Sequence, residues 1–210
     1  MITEYEIEPI PGLPAALPPG ERILWQGKPQ WRALARTAFH TRLVGGYFAV
    51  LTVVAAIGSG GSLFGIAMTA VSGIAAVALL SALAWGTARG AVYTLTDKRL
   101  VLRIGMALPK CINLPLPLIE AVDFAARPDG SGDIAVRIRG AQSLGFVALW
   151  PHARPWMLAR PQPMLRSIVD AERVGAMLAR LCLTAHPDGQ LHAPEASRSH
   201  APAYAEAAAA

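Results

Sequence analysis

The sequence predicts an integral membrane protein with an α-helical hairpin in the lipid and a cytoplasmic all-β domain capped by a C-terminal helix. Two observations predict this fold class: a long block without charged side chains, and a later series of short alternating strands that ends in one amphipathic helix. The chain of 210 residues is 53% apolar and only 16% charged, whereas soluble domains are about 25% charged. Most of the deficit falls in the uncharged block, which indicates contact with lipid.

The N-terminal segment, residues 1–38, is predicted to lie in the cytoplasm. Its first part is acidic and rich in proline, with Glu4, Glu6 and Glu8 followed by Pro9, Pro11, Pro14, Pro18 and Pro19. A secretory signal has the opposite character, a basic start followed by an apolar core. No secretory signal is therefore expected here.

The membrane hairpin is predicted over residues 39–88. From Leu43 to Ala88 there is no Asp, Glu, Lys or Arg. A single helix over these 46 residues would measure roughly 70 Å, more than twice the ~30 Å thickness of the hydrocarbon layer. The stretch from Gly58 to Ser62 reads Gly-Ser-Gly-Gly-Ser and predicts a turn. We therefore expect two helices, at about 39–57 and 63–86.

Basic residues flank both ends of the hairpin, and the turn has no charge. They are Arg22, Lys28, Arg32, Arg36 and Arg42 before the hairpin, and Arg89, Lys98, Arg99 and Arg103 after it. The positive-inside rule then places both flanks in the cytoplasm, with Trp31, Phe39 and Trp85 near the inner boundary. The sequence thus predicts a multi-pass membrane protein with both termini cytoplasmic.

Small residues are frequent inside the predicted spans: Gly45, Gly46, Gly65, Ala67, Gly73, Ala75 and Ala76. They permit close helix contact, either between the two helices of the hairpin or with another membrane protein, and both interpretations stay open. From Leu43 to Ala88 there is no His, Asp or Glu, which argues against a proton relay, an ion path or a buried metal. His40 is the one nearby candidate for a pigment ligand, and no cofactor is predicted.

The soluble domain is predicted over residues 89–184, with alternating patterns typical of strands. The six predicted strands cover residues 92–96, 100–104, 111–114, 119–124, 134–138 and 146–150. Short strands at tight spacing predict an antiparallel meander, either a small barrel or a sandwich. The two cysteines, Cys111 and Cys182, are predicted to be small buried side chains, since disulfides are rare in the cytoplasm.

A proline-rich loop, residues 151–163, separates the strands from the closing helix. Four prolines exclude a regular helix or a central strand there. The helix is predicted to start at Asp170 as N-cap, with Val169 and Val174 as a hydrophobic staple. Its apolar stripe consists of Val174, Met177, Leu178, Leu181 and Cys182. The stripe either closes the open end of the β domain or contacts a partner helix.

The tail, residues 185–210, is predicted to be disordered because it is rich in Ala, Pro, Ser and His and poor in large apolar side chains. His186, His192 and His200 are spaced too loosely for a metal site, and none is predicted.

Two phrases resemble a known family. Residues 93–101, Tyr-Thr-Leu-Thr-Asp-Lys-Arg-Leu-Val, are similar to the opening of the bacterial PH-like domain, which is often tethered by a transmembrane hairpin. Residues 20–29, Gly-Glu-Arg-Ile-Leu-Trp-Gln-Gly-Lys-Pro, are similar to the segment before the hairpin in such proteins. The resemblance implies a PH-like barrel or sandwich with a capping helix.

A longer resemblance, over roughly residues 5–184, is to the photosynthetic complex assembly proteins of purple bacteria. Residues 5–14 and 149–166 carry it. It implies a membrane-anchored assembly factor in the photosynthetic intracytoplasmic membrane, whose partners would be subunits of the reaction centre and the core light-harvesting complex. The resemblance brings no catalytic residues, and it leaves the oligomeric state open, a homo-oligomer included.

The proline-rich loop and the residues after it contain the candidate partner-binding residues: His152, Arg154, Trp156, Arg160 and Arg166. Trp and Arg are enriched at binding hot spots, and prolines lower the entropy cost of presenting them. Alternatively, the loop packs on its own domain, with Trp156 in the core and the arginines in water.

Other functions have less support in the sequence. There is no GxSxG, HExxH or P-loop motif and no paired carboxylate spacing, so an enzyme is not predicted. The net charge of +5 is mild and lacks a basic run, so nucleic acid is not an expected partner. Two alternatives to the assembly factor remain: a PH-like module that senses membrane lipids through a basic surface, and a bacteriochlorophyll carrier.

Overall fold

The hairpin consists of two antiparallel helices, α2 (Thr41–Gly58) and α3 (Leu63–Gly90), in a computed structural model that describes residues 12–58, 62–106, 108–140 and 145–186. Both helices are long and apolar enough to cross a membrane, with mean hydropathies of 1.6 and 2.2. The apolar window is 0% buried in α2 and 6% buried in α3. The protein itself therefore leaves these apolar faces uncovered, unlike the core helix of a soluble domain.

Small residues pack the two helices together. A Cβ atom placed on Gly73 would lie 2.6 Å from the Phe48 Cβ, and one placed on Gly45 would lie 3.6 Å from Val77. By contrast, Gly46 has no atom within 4 Å of such a Cβ. Contact within the hairpin is thus the role of Gly73, whereas Gly46 lies on an open face.

A short helix before the hairpin, α1 (Trp31–Thr37), packs on the last turns of α3. Leu34 and Ala35 of α1 form an apolar cluster with Phe39 and with Ala84 and Ala88 of α3. This support extends α3 to Gly90, beyond the predicted end at residue 86, so that α3 leads directly into the first strand of the following sheet.

Among the described residues, the β domain contains seven strands in two antiparallel sheets. One sheet has the order β1 (Ile23–Gly27), β2 (Val92–Thr96), β3 (Arg99–Ile104) and β4 (Lys110–Pro115). The other has the order β5 (Ile119–Ala126), β6 (Ser131–Ile138) and β7 (Met164–Val169). The two sheets do not close into a barrel in the part of the chain described, so of the two predicted architectures the structure supports the open one.

Three parts of the strand prediction were wrong. The segment predicted as the sixth strand is instead a short helix, α4 (Phe146–Leu149). The prediction also missed β7, and it missed β1, which comes from the N-terminal segment and pairs with β2 across the whole hairpin, Gln26 opposite Thr94 and Gly27 opposite Tyr93. The side-chain amide of Gln26 donates to the Thr94 hydroxyl at 2.9 Å.

The core lies between the two sheets and the C-terminal helix α5 (Ala171–Ala185). Its buried members include Leu95, Leu100 and Leu102 from the first sheet, Ile134, Val136 and Leu165 from the second, and Val174, Leu178 and Cys182 from α5. The predicted stripe of α5 is confirmed as a face that packs on β5 and β6. Burial raises the pKa of the Cys182 thiol to about 12.

Details at both ends of α5 differ from the prediction. Asp170 is the N-cap residue, but it is left-handed (φ 53°) and its side chain makes no capping hydrogen bond, while Val169 is exposed. At the other end the ring of His186 is buried and lies 2.6 Å from the Ile119 carbonyl oxygen. The folded domain thus continues past residue 184, and the rest of the predicted tail lies outside the described residues. Cys111, also predicted to be buried, is exposed.

Candidate functional site

The proline-rich loop is closed at its base by backbone hydrogen bonds. The Arg154 N–H donates to the Gln162 carbonyl at 2.9 Å, the Met164 N–H donates to the His152 carbonyl at 2.7 Å, and Ala153 forms an isolated antiparallel bridge with Pro163. The two arms of the loop therefore run side by side, and residues 155–161 form its tip. As predicted, the prolines leave no regular helix or strand within residues 151–163.

A buried polar cluster anchors this base to the core. The Tyr93 hydroxyl lies 2.7 Å from His152 Nδ1 and accepts a hydrogen bond from the Arg166 backbone N–H at 3.2 Å. The Tyr93 hydroxyl therefore bonds both to the imidazole of His152 and to the backbone of β7. The Arg166 side chain donates to the Pro151 carbonyl at 3.1 Å. These hydrogen bonds join one arm of the loop to strands β2 and β7.

The electrostatics of this cluster indicate a structural role. Burial, reinforced by the nearby Arg166 charge, lowers the pKa of His152 to about 3. Burial also raises the pKa of the Tyr93 hydroxyl well above its ordinary value, and it lowers the pKa of the Arg166 guanidinium, against the opposing effect of Asp133. The imidazole is thus neutral and the phenol protonated across the physiological pH range, and neither group changes its charge there.

A second contact, the ion pair between Arg154 and Asp123, holds the loop against β5, and we call this pair the clamp. Arg154 Nη1 donates to Asp123 Oδ2 at 2.5 Å and to the Gln162 side-chain carbonyl at 3.0 Å. The Arg154 and Asp123 side chains are 25% and 20% exposed, so the pair is partly shielded from solvent. A guanidinium that is largely shielded from water and makes two hydrogen bonds fixes the position of the loop more firmly than a surface ion pair would.

Apolar side chains are displayed on the loop tip. Trp156 is 94% exposed and has a positive φ of 64°. Leu158 and Met157 are exposed beside it, and Arg160 is exposed as well. The interpretation that Trp156 lies in the core is therefore wrong. A large aromatic side chain in water on a loop with two anchors has the character of a binding hot spot rather than of packing.

The five predicted partner-binding residues thus separate into three groups. His152 and Arg166 are buried in the anchor, Arg154 forms the clamp, and only Trp156 and Arg160 are fully displayed. Sequence reasoning missed the anchor partner Tyr93 and the clamp partner Asp123, which lie 59 and 31 positions from the loop residues that they bond. Their own strand patterns carry no sign of such distant partners.

Within the described part of the chain, no group of three or more His, Cys, Asp or Glu side chains is placed to hold a metal ion. His40, the candidate pigment ligand, has a positive φ of 51° and an exposed ring, whose Nδ1 lies 3.2 Å from the Ala38 carbonyl oxygen.

Comparison with known proteins gives a family match and one clear relative. The model of a family described as "Bacterial PH domain" matches residues 46–181. A 23.7 kDa protein of Rhodobacter capsulatus, described as uncharacterised and as lying in the puhA 5′ region, is 39% identical over 191 residues. The alignment covers 84% of this chain and 86% of that protein. No solved structure matches the chain.

Proposed function

The chain belongs to the bacterial PH domain family, and from its apolar hairpin and its relative in the puhA 5′ region we propose that it is a membrane-anchored assembly factor for photosynthetic complexes. In this proposal the hairpin fixes the domain at a bacterial inner membrane, and the loop tip around Trp156 contacts a subunit of the reaction centre or of the core light-harvesting complex. The protein acts through protein contacts and not as an enzyme.

The pairing of β1 with β2 supports the membrane topology. β1 precedes the hairpin and β2 follows it, yet the two are hydrogen-bonded neighbours in one sheet. If α2 and α3 cross the bilayer, both flanks must therefore lie in the same compartment. Together with the basic flanks, this supports a multi-pass protein with both ends of the folded region in the cytoplasm.

The relative supports the photosynthetic role. Its gene lies in the 5′ region of puhA, a photosynthetic reaction-centre gene, and neighbouring bacterial genes often serve one process. This locus and the resemblance of residues 5–14 and 149–166 to photosynthetic assembly proteins together support the proposal that the chain is a PuhB-like assembly protein.

The loop tip carries the binding part of the proposal. The tip displays Trp156 with Leu158 on a base fixed by the Tyr93–His152 bond and the Arg154–Asp123 pair. Because the base is already ordered, a partner gains the aromatic contact without ordering the loop. A tip whose only task was packing would bury this tryptophan.

Replacement of both displayed residues tests the proposal. Trp156→Ala with Arg160→Glu should reduce co-purification of reaction-centre and core light-harvesting subunits at least tenfold, because alanine at a tryptophan hot spot costs about 2 kcal/mol or more. Abundance of the protein itself should be unchanged. Arg173→Glu, an exposed charge reversal on α5, is the matched control.

The outcomes separate the candidate functions. Unchanged co-purification in the double variant would exclude the loop tip as the docking site. Normal absorbance of both complexes in a deletion strain would exclude the assembly role altogether. Bacteriochlorophyll bound to the gently solubilised protein would favour the carrier function instead.

A further inference from the structure

The start of α2 lies beside the last three turns of α3. Phe48 packs on Gly73 and Gly45 faces Val77, so in this antiparallel pair α3 continues past the first residue of α2. Phe39, just before α2, accordingly packs in one cluster with Leu83 and Ala84. The last three turns of α3 mark the level where the helices would leave the hydrocarbon if they cross a membrane.

The turn between β3 and β4 reaches the same level. A Cβ on Gly86 would lie 2.5 Å from the Met106 sulfur, and one on Gly90 would lie 2.6 Å from the Gly105 carbonyl oxygen. The turn is thus held against the last turn of α3. On it Leu108 is 80% exposed, and Met106 is 53% exposed despite its contact with the helix.

Helix α4 brings a second apolar tip to this level. The Trp150 ring, directly after α4, meets the Phe39 ring edge to face, with centroids 5.3 Å apart. Val147 of α4 is 88% exposed, and half of Trp150 is exposed too. This tip therefore lies beside the start of α2, while the β3–β4 turn lies beside the end of α3.

Exposed basic and aromatic side chains accompany both tips. The guanidinium of Arg89 stacks on Trp85 at 5.3 Å, and that of Arg32 stacks on Trp31 at 5.4 Å. Arg42 and Lys110 are exposed near the two tips. Tryptophan with arginine at the end of an apolar helix is typical of the headgroup region, where the ring meets lipid and the cation meets phosphate.

We infer that the PH domain rests on the cytoplasmic leaflet itself, with two tips inserted between lipid headgroups on the flanks of the hairpin: one tip carries Met106 and Leu108, and the other carries Val147 and Trp150. The occupant is lipid because both tips lie beside the ends of α2 and α3, whose apolar surfaces the described part of the protein leaves uncovered. The inference rests on the proposed membrane crossing and adds a fixed orientation of the domain, which a flexible tether would not impose.

Spin-label depth measurements on the full chain test this orientation. In a Cys111→Ser background, single labels are introduced by Leu108→Cys, Val147→Cys and Lys98→Cys, and the protein is reconstituted in vesicles of phosphatidylcholine with one-third phosphatidylglycerol. The remaining Cys182 is buried and its thiol pKa is raised to about 12, so it does not take label. Lys98 is the matched control because it lies at the opposite end of β3, roughly 20 Å away at about 3.3 Å per residue.

The expected result is oxygen-rich, lipid-like accessibility at positions 108 and 147 and water-like accessibility at position 98. A further label from Ile74→Cys, an exposed residue in the middle of α3, reports on the crossing itself. Water-like signals at positions 108 and 147 together with a lipid-like signal at position 74 would show that the domain does not rest on the leaflet, although the membrane crossing would stand. A water-like signal at 74 would overturn both.

Discussion

At the scale of single residues, the buried His152 connects loop geometry to pH. Its imidazole is hydrogen-bonded to the Tyr93 hydroxyl at 2.7 Å and has a pKa lowered to about 3 by burial, against 6.5 in the unfolded chain. Between these two values the unfolded chain binds a proton that the folded protein does not bind. Stability is therefore full above pH 6.5 and falls as the pH drops from 6.5 toward 3.

We predict that the free energy of unfolding falls by about 2 kcal/mol between pH 7 and pH 5 through this one group. His152→Gln keeps a hydrogen-bond partner for Tyr93 but does not titrate, so its loss over the same interval should be smaller by that amount. Thermal unfolding of both proteins in detergent at pH 7, 6 and 5 measures the difference. Parallel pH profiles would show that His152 does not contribute.

The residue scale also shows why the candidate site was only partly predictable. The Pro-Arg-Trp composition of the loop indicated a presented segment, and Trp156 and Arg160 are indeed displayed. His152 and Arg166 belong to the same residue types, yet they are buried, because their partners come from β2 and from the loop arm itself. Composition identifies groups that can bind, but only tertiary contacts decide which of them are already bonded.

At the scale of elements, the hairpin depends on one close approach. Alanine at Gly73 would place its methyl group 2.6 Å from the Phe48 Cβ, an atom that cannot move without the helix, whereas alanine at Gly46 would meet nothing within 4 Å. The two substitutions add the same atoms to the same hairpin and differ only in this contact.

We predict that Gly73→Ala destabilises the hairpin by about 1–3 kcal/mol through overpacking. Gly46→Ala should be neutral or stabilising by up to about 1 kcal/mol, since alanine is the better helix former. Thermal unfolding in one detergent compares the two variants directly. Equal stability of both would mean that the helices do not pack through Gly73.

Helices and strands were predicted correctly where the local sequence pattern was clear, and incorrectly where the pattern was ambiguous. The uncharged block is a local signal of composition, and the α5 stripe is a local periodic signal. The helices that they predict form within a few residues of the predicted bounds. The run Phe146–Leu149 is apolar without a period, which suits a strand or a helix equally. β7 was missed because Arg166 and Ser167 are buried beside apolar neighbours and hide the alternation.

At the scale of the whole molecule, the N-terminal segment completes the β domain. β1 covers the edge of β2, and Leu13 is almost fully buried before it. An uncovered strand edge is open to pairing with other chains. The domain thus includes chain segments from before and after the hairpin, although the sequence after the hairpin, which resembles the PH-like family, suggested a self-contained unit.

Deletion of residues 1–27 should therefore lower the apparent Tm by several degrees, since a loss of about 1 kcal/mol shifts Tm by roughly 2–8 °C in domains of this size. The deletion should also promote aggregation in detergent. Deletion of residues 187–210 is the control, and no shift is expected from it. A Tm unaffected by loss of β1 would contradict the role of that strand.

The β1–β2 pair also orders events during translation. Gln26 leaves the ribosome long before its partner Thr94, 68 positions later, and the whole uncharged block is made in between. Until β2 has been made, the early strand has no neighbour, and a nascent chain that stalled there would keep an open edge. If α2 and α3 cross a membrane as proposed, the sheet can be completed only after the chain has returned to the compartment in which β1 waits.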